Sequence, residues 1–215
     1  MKDQISHLRT HYSGKLLDEK TVLSNPFDQF TEWFKEALND NVTEPNAMTL
    51  ATSSKQGQPS VRIVLLKDFT KSGFTFYTNY HSQKAKDINE NPHGALLFFW
   101  PQQFRQIRIE GVLEQVPPSV SEKYFHERPF ESRISSWISP QSTVIDDKTI
   151  LEKNYADFEK KHSDKEIPYP VFWGGYCLKP SKFEFWQGQP NRLHDRVVYL
   201  QQPESDIWSA KRLAP

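Results

Sequence analysis

After Pro45 the chain is cut into short runs rich in Val, Ile, Leu, Phe and Tyr, each bounded by Gly, Pro, Asn or Ser, and this cadence restricts what it can fold into. Met48 to Thr52, Val61 to Lys67, Phe74 to Thr78, Ala95 to Trp100 and Gln106 to Leu113 each have the length of one strand. Gln56-Gly57-Gln58-Pro59 and Lys71-Ser72-Gly73 are links of hairpin size, which favours antiparallel neighbours. The pattern resumes with Phe172 to Leu178, Phe183 to Trp186 and Arg196 to Gln201, after helical insertions at Val120 to His126 and Thr149 to Lys161. A short helix over Ser82 to Asn89 stops at Asn91-Pro92. Upstream, Asn25-Pro26 opens a helix in which Phe27, Phe30, Phe34 and Leu38 form one apolar stripe. This order predicts a mainly β fold with peripheral helices, a meander closed or nearly closed into an antiparallel barrel, in preference to alternating βαβ units.

With 215 residues and no repeat or low-complexity linker, the expectation is a single domain over residues 25–215, preceded by an N-terminal extension over residues 1–24. Lys plus Arg number 27 and Asp plus Glu 27, so bulk charge calls for neither nucleic acid nor an anionic membrane, and any anion binding must be local. The single Cys177 excludes an intramolecular disulfide, and its apolar neighbours suggest a packed thiol in a reducing compartment. Met1-Lys2-Asp3-Gln4 lacks the apolar core of a signal peptide, and no apolar run approaches the roughly 20 residues that span a bilayer, so a soluble cytoplasmic protein is expected. The chain has no Walker loop, dinucleotide fingerprint, nucleophile elbow or paired Cys, and its seven His are scattered. Protein side chains alone therefore offer no obvious nucleophile and no metal site.

What the chain does offer is positive charge beside aromatic residues. Arg192, His194 and Arg196 alternate after a turn marked by Gly188 and Pro190. If a strand begins near Arg192, its period of two puts both guanidiniums and the imidazole on one face, with Leu193 and Asp195 opposite. Such a face is either an anion site or a solvated edge strand with its charges outward. Arg62 with Lys67, Tyr77-Thr78 with Lys84, Arg105-Gln106, and Tyr124 with Arg128 repeat the theme. Together they suit a planar, phosphorylated ligand. Arg62 and Lys67 are an odd step apart and so fall on opposite faces of a regular strand. Either a bulge intervenes, or the ligand runs along the strand and past its end.

Arg62-Ile63-Val64-Leu65-Leu66-Lys67, Phe76-Tyr77-Thr78-Asn79, Lys123-Tyr124-Phe125-His126 with Arg128-Pro129, Phe172-Trp173-Gly174-Gly175, Phe185-Trp186-Gln187-Gly188, Arg192-Leu193-His194-Asp195-Arg196 and the terminal Arg212-Leu213-Ala214-Pro215 resemble pyridoxamine 5'-phosphate oxidase. Each motif is weak alone, whereas the ordered set, from about His7 to Pro215, is specific. The resemblance implies an FMN-binding split β-barrel of antiparallel Greek-key type, working as a homodimer with FMN at the subunit interface. Carried over by position, Arg62, Ile63, Val64, Leu65, Leu66, Lys67, Tyr77, Thr78, Lys84, Gln106, Gln141, Ser142, Trp186 and Arg196 would bind FMN. Lys67, Tyr124, Arg128 and Ser132 would hold the substrate phosphate, while Arg192 and His194 would approach the pyridine ring and the reacting carbon. Arg9 and Tyr12 match an N-terminal segment that the family can fold over the site as a lid. Where the family often carries Arg before the FMN-binding Lys, this chain has Gln83, which turns a charged phosphate contact into a neutral one.

The implied reaction is oxidation of pyridoxamine 5'-phosphate and pyridoxine 5'-phosphate by molecular oxygen to pyridoxal 5'-phosphate, with FMN as the electron sink. That fits a chain without a nucleophile of its own. A non-enzymatic split-barrel module holding flavin, haem or pyridoxal phosphate would keep the Arg62 to Lys67 segment but has no need of Tyr124, Arg128, Ser132 and the Arg192 to Arg196 segment together. A binder of single-stranded nucleic acid is disfavoured by net neutrality and dispersed basic residues.

Overall fold

The computed structural model describes residues 5–7, 10–163, 165–202 and 205–215. In chain order the elements are α1 (Pro26–Asn39), β1 (Ala47–Ser53), β2 (Pro59–Leu65), β3 (Asp68–Thr70), β4 (Gly73–Asn79), α2 (Gln83–Glu90), β5 (His93–Trp100), β6 (Arg105–Gln115), α3 (Pro118–Glu127), α4 (Phe130–Ile138), α5 (Lys148–His162), β7 (Trp173–Gln187), β8 (Asp195–Gln201) and β9 (Trp208–Arg212). The sheet runs in the order β2-β1-β5-β6-β7-β4-β3, with β8 joined to β7 and β9 to β8. The pairs β3/β4, β4/β7, β7/β8 and β8/β9 are antiparallel. The mainly β fold with peripheral helices is therefore as expected. Crossovers at β1/β5 and β7/β4 replace the simple meander, because strands distant in sequence meet there.

By contacts the chain forms two compact units, interleaved in sequence. The first takes the chain up to Thr49 together with Ala95–Glu110 and Pro180–Pro215. Its core is aromatic: Phe27 meets Phe183, Phe30 meets Phe98, and Trp33 meets Phe185, each with ring centres 5.1–5.2 Å apart. Helix α1 starts where expected, with the Asn25 side chain accepting from the Phe27 N–H at 2.9 Å and Pro26 in the first turn. Its buried stripe is rotated from the expected one: Trp33 and Ala37 are buried, whereas Leu38 is 54% exposed. Arg105, 4% exposed, lies 4.3 Å over the Trp33 ring, donates to Gln187 Oε1 at 3.0 Å and pairs with Glu36 at 2.7 Å. Burial of that guanidinium is tolerable because it is both stacked and paired.

The second unit takes Leu50–Gly94 and Gly111–Lys179. Phe125, Ile134, Ile167 and Trp173 form a buried cluster, against which Tyr77, Tyr124, Phe130, Trp137 and Tyr169 pack. The turn between β3 and β4 needs Gly73, whose φ of 135° is in the glycine-favouring region and whose Cβ would strike the Leu178 carbonyl.

Four local expectations are corrected. The two strands expected around Pro180 are one strand, β7. Its residues 173–178 pair with β4 and 182–187 with β8, so Pro180 sits where the partner changes and its missing N–H costs neither pairing. Strand β8 begins at Asp195, not near Arg192. Pro190–Arg192 is instead a 3-10 turn in which Asn191 and Arg192 have φ of 56° and 62°, so Arg192, His194 and Arg196 do not share a strand face. Helix α4 and strand β9 escaped notice: α4 is serine-rich and is held by burial of Ile134, and β9 is a half-exposed strand recruited by β8.

The paired glycines at the start of β7 let rings approach the backbone. A Cβ at Gly175 would lie 2.7 Å from Val116 Cγ2 and 2.9 Å from Tyr77 Cε1, and one at Gly174 would strike the Tyr80 hydroxyl. Gly175→Ala is expected to destabilise by about 1–3 kcal/mol, the usual cost of overpacking. Thermal unfolding should show a lower Tm, with an altered near-ultraviolet circular dichroism signal as Tyr77 is displaced.

Candidate active site

A cleft of about 670 Å³ opens in the second unit. One wall is β2 and the chain beyond it: Arg62, Ile63, Val64, Leu65 and Lys67 all line the cleft. The strand stops at Leu65, so the opposite-face difficulty for Arg62 and Lys67 resolves without a bulge between them; the wall runs along the strand and past its end. Leu66 is buried and does not line the cleft. The other walls come from Tyr77 and Thr78 on β4, Lys84 in the first turn of α2, Tyr124 and Arg128 at the end of α3, Ser132 on α4, and Gln141.

Lys84, almost fully buried, places its ammonium 3.0 Å from Gln141 Oε1, 3.1 Å from Thr78 Oγ1 and 3.3 Å from Ser82 Oγ. All three partners are neutral. Burial first, and the nearby Arg62 second, pull its pKa down to about 8. Arg62 donates through Nη1 to Thr52 Oγ1 at 2.7 Å and to the Leu50 carbonyl at 3.2 Å, and through Nη2 to Ser60 Oγ at 2.7 Å. Its pKa is lowered by burial, with Asp87, 3.8 Å away, opposing the shift. Asp87 lies behind the wall and accepts from Thr52 Oγ1 and Gln83 Nε2, both at 2.7 Å. Gln83 is thus bonded to Asp87 and is not part of the wall.

Tyr77 stacks on Tyr124 at 4.1 Å and on Trp173 at 5.3 Å. Burial, with smaller contributions led by Tyr124, pushes the Tyr77 phenol up to about 12, and burial raises that of Tyr124, so both hydroxyls are neutral donors at physiological pH. Arg128 lies 4.5 Å over the Trp173 ring and donates to Ser136 Oγ at 2.6 Å. No Asp or Glu lines the cleft among the described residues. A cleft lined by several cations and by stacked rings is built for a ligand that is anionic and flat.

Asn79, Pro129, Ser135, Ser136, Ser139 and Trp173 also line it and were not assigned to a site from sequence. The signal for the serines was present: Ser132, Ser135, Ser136 and Ser139 recur at helical spacing. It needed α4 to be recognised first.

The remaining expected residues lie elsewhere. Ser142, exposed and with φ of 69°, adjoins Gln141 without lining the cleft. Arg9 lies outside the described residues. Tyr12, Gln106, Trp186, Arg192, His194 and Arg196 belong to the first unit. There Trp186 and His194 have ring centres 4.7 Å apart, and Tyr12 stands edge-on to both. The Gln189 N–H donates to His194 Nδ1 at 3.0 Å, so a neutral imidazole carries its proton on Nε2. Arg196 donates to Glu184 Oε1 through Nε at 2.9 Å and to the Ala214 carbonyl through Nη1 at 2.8 Å. Glu184 is 3% exposed and also pairs with Arg108 at 3.1 Å. Arg192 is exposed. Gln106 is half-buried on β6.

The family model described as pyridoxamine 5'-phosphate oxidase matches residues 34–162, and that described as the pyridoxine 5'-phosphate oxidase C-terminal dimerisation region matches residues 173–215. A pyridoxine/pyridoxamine 5'-phosphate oxidase of Cyanothece sp. is 47% identical over 215 residues, covering 100% of both chains. Its namesake "1" in Ralstonia nicotianae is 48% identical over 211 residues, covering 98% of this chain and 99% of the relative. Among solved structures, PhzG from Burkholderia lata in complex with tetrahydrophenazine-1-carboxylic acid superposes with a TM-score of 0.88 at 27% identity, covering 94% of this chain and 100% of the other. A pyridoxamine 5'-phosphate oxidase-related, FMN binding protein from Nostoc punctiforme shares the fold, with a TM-score of 0.70 at 19% identity over 88% of this chain and 98% of the other. With a family model across most of the chain and relatives nearly half identical from end to end, the chain belongs to the pyridoxamine 5'-phosphate oxidase family.

Proposed function

We propose that the protein is a pyridoxal 5'-phosphate synthase, an FMN-dependent oxidase of pyridoxine 5'-phosphate and pyridoxamine 5'-phosphate that works in the last step of vitamin B6 cofactor synthesis and salvage. The alcohol and oxygen yield the aldehyde and hydrogen peroxide; the amine, oxygen and water yield the aldehyde, ammonia and hydrogen peroxide. The observation that carries this reading is the cleft lined by Arg62, Lys67, Lys84 and Arg128 and by stacked rings, with no carboxylate in its wall among the described residues. Relatives bearing the oxidase name along the whole length support it.

The cleft residues fit FMN. Lys84, buried among neutral oxygens and with a depressed pKa, regains a stable charge when a phosphate approaches, and Arg62 is already oriented beside it. When bound, FMN supplies the two-electron acceptor that the side chains lack and returns those electrons to oxygen. Arg62 through Lys67, Tyr77, Thr78, Lys84, Gln106, Gln141, Ser142, Trp186 and Arg196 would hold it. Lys67, Tyr124, Arg128 and Ser132 would hold the substrate phosphate. Arg192, exposed in its left-handed turn, would orient the substrate, and His194 would donate from Nε2 to a ring substituent. Tyr12, beside His194 and Trp186, would act with Arg9 as the lid.

A homodimer with FMN at the interface completes the proposal. Edge strand β2 leaves Val61 and Ile63 67% and 64% exposed, more apolar surface than an unpaired edge ordinarily carries, and the C-terminal match is to a dimerisation region. A cytoplasmic location is part of the same proposal; no helix among the described residues is long and apolar enough to cross a membrane.

The purified protein should be yellow, release FMN on denaturation, and consume oxygen with pyridoxine 5'-phosphate while forming aldehyde and peroxide. Flavin-loaded protein inert to both substrates would reduce it to a binding module. Arg192→Ala should lower kcat/KM about 30- to 100-fold while sparing FMN retention, the loss expected for a charged hydrogen bond. Arg196→Ala should do the reverse and also lower Tm, because buried Glu184 keeps only Arg108. Equal flavin loss in both variants would show that the roles are divided wrongly.

Lys84 predicts two opposite pH dependences. Its pKa near 8 is below the usual 10.5, so the unfolded chain binds more protons between these values and apoprotein stability should rise with pH there. FMN binding needs the proton back, so affinity should fall as pH rises through about 8, by up to about tenfold per pH unit. Flavin fluorescence titrations from pH 7 to 10 measure the second effect, and Lys84→Met should flatten it.

A further inference from the structure

Arg128 occupies the C-cap of α3, and its guanidinium reaches across the cleft wall to the second turn of α4. Two contacts hold it, and they do different work. Stacking at 4.5 Å over Trp173 fixes the plane of the guanidinium but lets it turn and slide over the ring. The 2.6 Å hydrogen bond from Nη1 to Ser136 Oγ removes that freedom. Ser136 is 9% exposed, and its own hydrogen is directed to the Ser132 carbonyl at 3.0 Å. Its oxygen therefore has only lone pairs to offer Arg128, so the bond runs one way. Ser132, Ser135 and Ser139 line the same cleft, but the Arg128 bond goes to Ser136, and the Ser135 hydroxyl is taken by the Glu131 carbonyl at 2.9 Å. No carboxylate pairs with Arg128 among the described residues, and burial lowers its pKa, with Tyr124 opposing.

We propose that Ser136 is a positioning residue for phosphate monoesters: by tethering Nη1 it turns the remaining donors of Arg128 toward the cleft and so sets the preference for phosphorylated over unphosphorylated substrate. The inference deepens the oxidase reading and rests on its placement of the substrate phosphate at Arg128. The energetic gain is preorganisation, since an untethered guanidinium must be ordered anew each time the anion binds.

Ser136→Ala and Ser136→Thr, FMN-loaded, would be assayed with pyridoxine 5'-phosphate and with unphosphorylated pyridoxine, and pyridoxal 5'-phosphate binding would be titrated without turnover. Alanine favours the helix, so folding is not at risk. Ser136→Ala should raise KM for the phosphate ester about tenfold, the scale of one oriented hydrogen bond, with kcat within about twofold and pyridoxine kinetics unchanged. Ser136→Thr keeps the hydroxyl and should stay within about twofold of the parent. An unchanged KM in Ser136→Ala, or an equal rise with pyridoxine, overturns the proposal. If the parent binds pyridoxal 5'-phosphate but oxidises nothing, the oxidase reading fails while Ser136 is still judged, with about tenfold weaker binding in Ser136→Ala expected and equal binding against it. A parent that binds no phosphate ester overturns the proposal outright.

Discussion

A cation shielded from water without a carboxylate opposite it is expensive to keep, and among the described residues the second unit keeps two, Lys84 buried and Arg128 half-buried. Neutral oxygens and a ring face substitute for solvent: Thr78, Ser82 and Gln141 around Lys84, and Ser136 and Trp173 around Arg128. These partners stabilise the charges enough to fold but do not neutralise them. The depressed pKa of Lys84 registers that shortfall. An anion entering the cleft supplies what the protein withholds, so folding and ligand recognition draw on the same uncompensated charge. Asp87 marks the limit of this arrangement: it orients Arg62 from behind, through Thr52, without entering the wall.

The first unit treats its cations in the opposite way. Arg105 is paired with Glu36, Arg108 and Arg196 share Glu184, and Arg212 bridges Asp195 and Glu19. These pairs tie distant chain segments together: Arg212 also donates to the Leu17 carbonyl, and the Asp195 carboxylate accepts from the Leu17 N–H at 3.2 Å. Arg192 stands apart, exposed in a left-handed turn. A residue held in that backbone region and kept outward is better suited to meeting a ligand than to supporting a fold.

Much of the β framework was legible because alternation, β-branched content and turn residues all agreed from Met48 to Leu113. Legibility failed where tertiary packing overrode local signals. Helix α4 carries serines that favour the helix weakly and forms because Ile134 and Trp137 pack on the Phe125 cluster. Strand β7 runs through Pro180 because its partners change there. The Arg192 to Arg196 alternation misled, since a period of two has meaning only inside a strand and the strand starts at Asp195.

Sequence by itself determined the fold class and the identity of most of the charged and aromatic residues of the cleft, because those follow from residue type and order. Tertiary structure alone decided which of them are buried and what each one touches. Gln83 is spent on Asp87, Arg62 and Lys67 share a wall because β2 ends at Leu65, and Ser136 tethers Arg128. The physical reason is that burial and hydrogen-bond direction depend on neighbours far away in the chain, and these set how much of each charge is left for a ligand.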